Sequence, residues 1–262
     1  MVESLVQPCG GYFIVSCVSG KAYQASDAGL HSAPAYHPQD ESPAGEDWIH
    51  EIKYDGYRVQ SHIDWDSRKA FTRNGHNWIS KFSAIGGTLD IPPAIIDGEV
   101  VVIHEGRTNF SELQAELAGR RQDRLLYYAF DLLWLDGKDL RRTSQLARKE
   151  LLKELFDTHC VEAPALYSEH LTGDGNELFK AAAKLNYEGI VSKRVEAPYR
   201  SDRNEAWVKI KAVQKGKFPV VGFINDPTRS RRTLPGEAGR EKACLHGQGR
   251  DGLVSHRLQR DP

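Results

Sequence analysis

The sequence contains few of the residues that mark several common protein classes. Only four of its 262 residues are cysteine (Cys9, Cys17, Cys160 and Cys244), and they lie far apart with no CxxC pair. This spacing indicates neither a zinc site nor a disulfide framework, and it favours a reducing compartment. The apolar stretch GYFIVSCV near the N terminus is too short to cross a bilayer, and no Lys or Arg precedes it. We therefore expect neither a membrane span nor a signal peptide.

Two nucleotide-binding motifs and internal repeats are also absent. The chain has no GxxxxGK[ST] loop and no GxGxxG loop, so any nucleotide would have to be bound by other means. The ten histidines are scattered and suggest no metal site, and we interpret His76 as a loop residue.

The composition is that of a folded protein with an uneven charge distribution. Apolar residues make up 40% of the 262 residues, enough for one large domain or for a medium domain with a smaller one. The formal net charge is only -1, but residues 1 to 46 carry one lysine against five acids. Residues 213 to 262 carry ten Lys and Arg against five acids, so the C-terminal end is basic.

Strand patterns begin at Trp48, after a lead-in rich in Ser, Ala, Pro and Gly. Alternating and β-branched residues predict strands over WIHEIKY, RVQSHI, KAFTRN, AIIDGEVVVI, LLYYAFDLLWL, EGIVSKRV and AWVKIKA. The Asp55-Gly56 dipeptide between the first two strands predicts a hairpin, with Lys53 at the end of its first strand.

Three further stretches predict helices. Asn109 caps NFSELQAEL, and Asp174 with Glu177 resembles a capping box at the start of DGNELFKAAAKL. The helix SQLARKELLKELF has one apolar face, formed by Ala147, Leu151, Leu152 and Leu155. Because the strands outnumber the helices and occur in clusters, we predict an α+β fold with antiparallel sheets.

Charged residues interrupt several of the predicted strands. Glu99 lies between two apolar runs, where a carboxylate is costly unless it is paired or binds a cation. Glu188 begins another strand, and Lys209 and Lys211 share one face of the last. The simpler interpretation of Glu99 is a strand-end residue. For Lys209 and Lys211 it is a solvated strand face. Together they predict a single cleft that binds an anion and a divalent metal.

EIKYDGYR resembles the first motif, KxDG followed by Arg, of the covalent nucleotidyltransferases, which include ATP-dependent DNA ligases, RNA ligases and mRNA capping enzymes. TRNG, DGEVVV, YYAFDLLWLDG, EGIVSKR and WVKIK resemble the later motifs of the family, in the same order. FDLL and EGIVSKR are most similar to DNA ligases, particularly the ligase module of the bacterial end-joining enzyme ligase D. The resemblance covers residues 47 to 212 and implies an adenylation fold, in which antiparallel sheets flank a nucleotide cleft.

The resemblance implies that Lys53 is the catalytic nucleophile. It would take AMP from ATP, pass it to a 5'-phosphate at a DNA nick or end, and leave the 3'-OH to seal the strand. A lysine attacks only as the neutral amine, and Lys209 and Lys211 would favour that form while holding the α-phosphate. The implied metal is Mg2+ or Mn2+, bound by Glu99 and Glu188.

Other motif residues acquire roles from the same resemblance. Arg58 and Arg73 are assigned to the phosphate and ribose. Glu51 is assigned to adenine or ribose, and Glu99 to ribose as well as to metal. Phe130 would stack on adenine, with core packing as the alternative.

Four residues of the motifs receive simpler assignments. Asp55 and Gly56 are interpreted as turn formers that fix the direction of Lys53. Lys193 would contact phosphate or DNA, or be a plain surface lysine. Trp207 is expected to pack.

The two ends of the chain depart from the family. Residues 1 to 46 are predicted to be a partly disordered extension, and 47 to 212 the adenylation domain. FPVVGFIND opens like the first strand of an oligonucleotide-binding (OB) barrel, but the residues after it lack the pattern of such a barrel. Residues 213 to 262 are therefore predicted to be a truncated OB-fold start with a basic, disordered tail.

The leading functional hypothesis is an ATP-dependent DNA ligase of the ligase D type, with activity impaired by the missing barrel. One alternative is an RNA ligase or capping-type enzyme, and another is a fragment that binds adenylate or DNA without turnover. The expected partners are nicked or broken duplex DNA and other end-joining proteins, in a bacterial cytoplasm at the nucleoid.

Overall fold

The computed structural model describes residues 35–39, 42–200, 203–212, 220–224, 232–238 and 243–245, with side chains described for 42–200 and 205–212. The chain divides into two compact units, Met1–Ala212 and Val213–Pro262. The first unit contains all the residues assigned to the cleft. No helix among the described residues is long and apolar enough to cross a membrane.

Twelve strands of the first unit form two sheets. In chain order they are β1 (Ala35–Gln39), β2 (Trp48–Ile52), β3 (Tyr57–Ile63), β4 (Arg68–Thr72), β5 (Ala94–His104), β6 (Arg107–Thr108), β7 (Leu125–Leu135), β8 (Lys138–Asp139), β9 (Ala165–Tyr167), β10 (His170–Thr172), β11 (Gly189–Arg194) and β12 (Arg203–Lys211). The first sheet has the order β1-β12-β11-β2-β10, and the second has the order β4-β3-β5-β7-β8 with β6 beside β5 and β9 beside β7. Except for the parallel pairs β1 with β12 and β7 with β9, neighbouring strands are antiparallel. The predicted α+β class with antiparallel sheets is confirmed.

Four helices pack against these sheets: α1 (Ser83–Thr88), α2 (Phe110–Ala118), α3 (Gln145–Thr158) and α4 (Gly175–Lys184). Asn109 caps α2 as predicted, because its side chain accepts a hydrogen bond from the backbone N–H of Glu112. Asp174 caps α4 through the backbone N–H of Asn176, which differs from the predicted capping box with Glu177.

The predicted hairpin at Asp55-Gly56 is wrong. The strands β2 and β3 on either side of it belong to different sheets, so residues 53 to 56 cross from one sheet to the other. Gly56 serves a close approach: a Cβ on it would lie 2.1 Å from the carbonyl oxygen of Val100 on β5. The local turn signal was real, but pairing of β2 with β11 and of β3 with β5 determines the topology.

The main apolar core lies between the second sheet and α3, and a smaller one lies between the first sheet and α4. Leu152 and Leu155 of α3 are buried as predicted, whereas Ala147 and Leu151 are only half-buried. The buried face of α3 also contains Arg148 and Lys149, which the apolar pattern did not indicate. After α3, Cys160 is disulfide-bonded, a bond that the cysteine spacing did not indicate either.

The second unit contains an antiparallel sheet of β13 (Val220–Ile224), β14 (Arg232–Ala238) and β15 (Ala243–Leu245), in that order. The sequence predicted a strand at the position of β13 but not β14 or β15, and it did not predict β1 within the lead-in. The rest of the predicted N-terminal extension up to residue 34, and of the predicted basic tail, falls outside the described residues.

Candidate active site

Side chains of the first sheet contact side chains of the second. The Lys193 amine of β11 lies 4.6 Å from the centre of the Phe130 ring on β7. The Arg58 guanidinium of β3 lies 5.3 Å from the Trp207 ring of β12. These contacts define a cleft between the sheets, and nearly all the motif residues lie along it.

Lys53 follows the last residue of β2 and lies in this cleft. Its backbone N–H donates to the carbonyl of Gly189, 2.9 Å away, at the start of β11. Its amine forms an ion pair with Glu188, and only 12% of its side chain is exposed. Gly189 has φ +142°, and a Cβ there would lie 2.0 Å from the carbonyl oxygen of Ile210, so only glycine fits beside Glu188.

Glu188 bridges two lysines. Its second carboxylate oxygen lies 3.1 Å from the amine of Lys211, which is more than half exposed. Burial alone would raise the pKa of Glu188, but the ion pairs with Lys53 and Lys211 outweigh it and lower that pKa. The assignment of Lys53 as the nucleophile stays a prediction.

Glu99 carries the most perturbed carboxylate of the predicted site. It lies on β5 opposite Arg58 of β3 and Tyr128 of β7. Burial raises the pKa of Glu99 to about 7, although nearby cations oppose the rise. Those cations are Arg58, Lys53 and Lys209. A carboxylate of this kind gains from any added positive charge, so Glu99 is suited to a cation or to a hydroxyl donor.

Lys209 lies on β12 among these charges. Burial lowers the pKa of Lys209 to about 8, and repulsion from Lys53 acts in the same direction. Glu188 and Glu99 counteract this shift. The acidic and basic residues predicted for one cleft are thus electrostatically coupled to Lys53, as the sequence analysis expected.

Arg58 makes a bidentate pair that the sequence did not indicate. Its Nε donates to Asp97 Oδ1 at 3.0 Å, and its second nitrogen donates to Asp97 Oδ2 at 2.6 Å. Asp97 is fully buried on β5, so this pair compensates a charge that would otherwise be costly. The assignment of Arg58 to phosphate or ribose stays a prediction.

Arg73 is the one predicted site residue that no described contact joins to the cleft. It follows β4 in an exposed turn closed by the hydrogen bond from Thr72 N–H to His76. Its side chain makes no hydrogen bond or ion pair with the residues whose side chains are described. The predicted strand KAFTRN included Arg73, but β4 ends at Thr72 and Arg73 lies in the turn after it. Its assignment to phosphate or ribose stays a prediction.

Glu51 is buried at the closed end of the cleft. One carboxylate oxygen accepts from the Lys193 amine at 2.8 Å, and the other accepts from the Ser168 hydroxyl at 3.3 Å. Lys193 is only 2% exposed, so its interpretation as a plain surface lysine is wrong. It lies over the Phe130 and Trp207 rings, at 4.6 and 4.4 Å from their centres.

Phe130 and Trp207 pack edge to face, with ring centres 6.1 Å apart, and both are buried. Trp207 therefore packs as expected. For Phe130 both parts of the sequence interpretation remain relevant, since it packs in the core of the cleft and lies where an adenine would have to enter. Its stacking on adenine stays a prediction.

Three tyrosines beside the charged groups were missed by sequence reasoning. Tyr54 stacks on Tyr128 with centres 4.1 Å apart, and Tyr187 meets Tyr54 edge-on at 6.5 Å. Tyr54 directly follows Lys53, and Tyr187 directly precedes Glu188. The signal was present in the quoted motifs, where tyrosines adjoin both charged residues.

The order of these motifs along the chain and their convergence on one lysine can be compared with known proteins. Residues 34–211 match the family model described as ATP dependent DNA ligase domain. The chain belongs to this family. The relation covers the strands of both sheets, and it confirms the resemblance drawn from the motifs.

Curated relatives include end-joining proteins and a ligase-like protein. The Multifunctional non-homologous end joining protein LigD of Pseudomonas aeruginosa is 36% identical over 74% of this chain, which corresponds to 23% of that protein. The SPbeta prophage-derived DNA ligase-like protein LigB of Bacillus subtilis is 32% identical over 72% of this chain and 70% of its own length. The chain thus spans between about a quarter and a third of the LigD proteins that it matches and 70% of the shorter LigB.

Solved ligases share the fold. A structure described as mycobacterial DNA ligase D complexed with ATP and MES has a TM-score of 0.62 and 28% identity, covering 83% of this chain and 71% of that one. The Chlorella virus DNA ligase-adenylate has a TM-score of 0.52 at 14% identity, over 85% of this chain and 86% of that one, and it shows a common fold only.

The carboxylates of the cleft fit a divalent cation that is completed by substrate. No group of three or more His, Cys, Asp or Glu side chains within the described part of the chain could hold a metal ion. Mg2+ is commonly held by one or two carboxylates together with water and substrate phosphates. Glu99, which gains from added positive charge, and Glu188, which is ionised by its cationic neighbours, provide such a pair.

Proposed function

We propose that this chain is the adenylation domain of an ATP-dependent DNA ligase of the end-joining type, with Lys53 as the nucleophile. The observation that supports this most directly is the position of the Lys53 amine, which is nearly buried and is paired with Glu188 between two sheets. Lys53 interacts electrostatically with Glu99 of the second sheet and with Lys209 of the first. A solvated surface lysine would have no such surroundings.

In the first step the neutral Lys53 amine attacks the α-phosphorus of ATP. A nitrogen–phosphorus bond forms, the bond to the pyrophosphate oxygen breaks, and the amine loses a proton to solvent. Lys209 and Lys211 stabilise charge on the phosphoryl oxygens, while Glu51 and Phe130 receive the base and Arg58 and Arg73 the sugar and phosphates. A divalent cation held by Glu99 and Glu188 supplies further positive charge at the phosphates when bound.

In the later steps the AMP passes from Lys53 to a 5'-phosphate of DNA, and a 3'-hydroxyl then displaces it. Here the partner would be nicked or broken duplex DNA, since the matched relatives named LigD are end-joining proteins. We also propose that the protein associates with other end-joining proteins at the bacterial nucleoid. Because the family closes a second domain around the duplex, we expect the later steps to depend more on residues 213 to 262 than the first step does.

The test is intact-mass measurement after incubation with ATP and Mg2+ or Mn2+. We expect one added AMP on the wild-type chain and none on Lys53→Ala. Lys69→Ala is the matched control, since Lys69 lies on β4 of the second sheet and outside the site. A wild-type mass that does not change, or an AMP adduct that persists in Lys53→Ala, would refute the proposal.

The same experiment with GTP separates the alternatives. A covalent GMP would indicate a capping-type enzyme, and transfer of AMP to nicked RNA in preference to DNA would indicate an RNA ligase. Nucleotide binding without any adduct would indicate a fragment that binds without turnover.

A further inference from the structure

Helix α3 places two consecutive cations in the interior of the protein. The side chains of Arg148 and Lys149 are both fully buried. Buried cations are uncommon, because removing the charge from water is costly unless a partner compensates it. Each cation therefore indicates a specific partner, and the two partners belong to different sheets.

Arg148 is matched to one carboxylate. Its Nε and one terminal nitrogen donate to the two oxygens of Asp131 on β7, at 2.7 and 3.0 Å. Asp131 is fully buried, and the ion pair overcomes burial to lower its pKa. Charge is balanced in this pair, so the fold alone explains it.

Lys149 is not matched in this way. Its amine donates to the Ser168 carbonyl at 2.5 Å and lies 3.4 Å from Glu51 Oε1, the same oxygen that Lys193 contacts at 2.8 Å. Two buried lysines thus share one carboxylate. Burial lowers the pKa of Lys149 to about 8, as expected for a cation that is incompletely compensated. Lys149 also lies 4.2 Å from the centre of the Tyr167 ring, and the one carboxylate that it contacts among the described residues is already paired with Lys193.

The position of Glu51 indicates a role for Lys149. Glu51 is a buried residue of β2, and Lys53 follows two residues later. With Lys193 and Lys149 at one oxygen and the Ser168 hydroxyl at the other, its carboxylate has contacts on several sides. Lys193 approaches from β11, whereas Lys149 approaches from α3, behind the strands. A carboxylate held from two elements keeps one orientation when a ligand displaces one of those contacts.

We infer that Lys149 is a positioning residue: it holds the Glu51 carboxylate in the orientation that receives the nucleotide base. This inference rests on the proposed function of the cleft and identifies a residue outside its motifs. A carboxylate accepts a hydrogen bond from the exocyclic amine of adenine and repels the corresponding oxygen of guanine. Lys149 therefore contributes to the preference for ATP over GTP without touching the nucleotide.

The test compares neutral and charged substitutions of Lys149 by calorimetric titration with ATP and GTP, with metal withheld so that no adduct forms. For Lys149→Met we expect the dissociation constant for ATP to rise by about tenfold, while that for GTP changes by less than about threefold. Lys149→Arg should restore most of the preference. Lys153→Met, four residues along the same helix and half exposed, is the matched control and should bind as the wild type does.

A double-mutant cycle then tests whether Lys149 acts through Glu51. The combined variant Lys149→Met with Glu51→Gln should bind ATP no more than about twofold more weakly than Glu51→Gln alone, because the carboxylate that Lys149 holds is gone. Fully additive losses would overturn the inference. So would an unchanged ATP-to-GTP ratio in Lys149→Met.

The outcomes separate this inference from the proposed function and from a purely structural role. If the wild type binds ATP but forms no lysyl-AMP, the proposed function fails while the binding comparison still tests Lys149. If Lys149→Met does not fold, Lys149→Gln replaces it, since the amide can still donate to the Ser168 carbonyl without charge. If neither neutral variant folds, Lys149 serves the fold rather than base recognition, and the inference is overturned.

Discussion

At the scale of single residues, the cleft depends on groups whose protonation changes near neutral pH. Burial raises the pKa of Glu99 to about 7 and lowers that of Lys209 to about 8. Glu99 is therefore ionised mainly above the first value, and Lys209 is charged mainly below the second. Both charged forms are needed if Glu99 binds metal and Lys209 holds phosphate.

We predict a narrow bell-shaped pH dependence for the formation of lysyl-AMP, with limbs near pH 7 and pH 8. The measurement is the initial rate of adduct formation at ATP and Mg2+ concentrations well below saturation, where the profile reports the groups of the free protein. Lys209→Arg should remove the alkaline limb, because an arginine stays charged throughout this range. The Glu99→Gln variant should form lysyl-AMP slowly, and its pH profile should lack the acid limb. A wild-type rate that is flat between about pH 6 and about pH 9 would contradict the prediction.

At the scale of elements, α3 joins the two sheets through buried charge. Arg148 pairs with Asp131 of β7, and its neighbour Lys149 contacts Glu51 of β2. The Gln145 side chain of the same helix accepts from the Trp207 indole of β12 at 3.0 Å and from Arg148 at 3.0 Å. The first turns of α3 thereby contact strands on both sides of the cleft.

Arg148→Met should destabilise the fold by about 3–5 kcal/mol, because it leaves the Asp131 carboxylate buried without a partner. The measurement is the free energy of unfolding from urea denaturation. Adding Asp131→Leu to Arg148→Met should recover part of the loss. The exposed Lys153→Met should change the free energy by no more than about 0.5 kcal/mol. Equal stability of Arg148→Met and the wild type would show that this pair contributes little.

The sequence predicted individual strands and helices better than their partners. β5 and β7 are long apolar runs paired with each other, so burial on both faces made them easy to recognise. The break between β2 and β3 could not be read locally, since it depends on pairing with strands far along the chain. Arg148 and Lys149 were missed because a charged residue on a helix is normally interpreted as solvent-exposed, and only the facing carboxylates explain their burial.

For the candidate site, the motif order brought together most of the residues but not their pairings. The sequence analysis expected Glu188 to hold a metal, whereas its carboxylate contacts Lys53 and Lys211. It expected Arg58 to face phosphate, whereas the guanidinium pairs with Asp97.

At the scale of the whole molecule, the cleft residues and both apolar cores lie in the first compact unit. We predict that a chain ending at Ala212 binds ATP within about twofold of the full chain and melts as one cooperative transition. Calorimetric titration and thermal unfolding provide the two measurements. A more than tenfold weaker affinity in the shortened chain would mean that residues of the second unit take part in nucleotide binding.

The tight contact of residue 56 with β5 also limits how a nucleotide can enter. The four-residue crossover after β2 carries Lys53, the proposed nucleophile, and its final residue has no space for even a methyl group against the Val100 carbonyl. The crossover therefore holds the end of β2 close to β5. Separating the two sheets at this point would strain the backbone. We therefore expect admission of the base to depend on rotation of side chains such as Phe130 and Lys193, with the main-chain frame around the lysine unchanged.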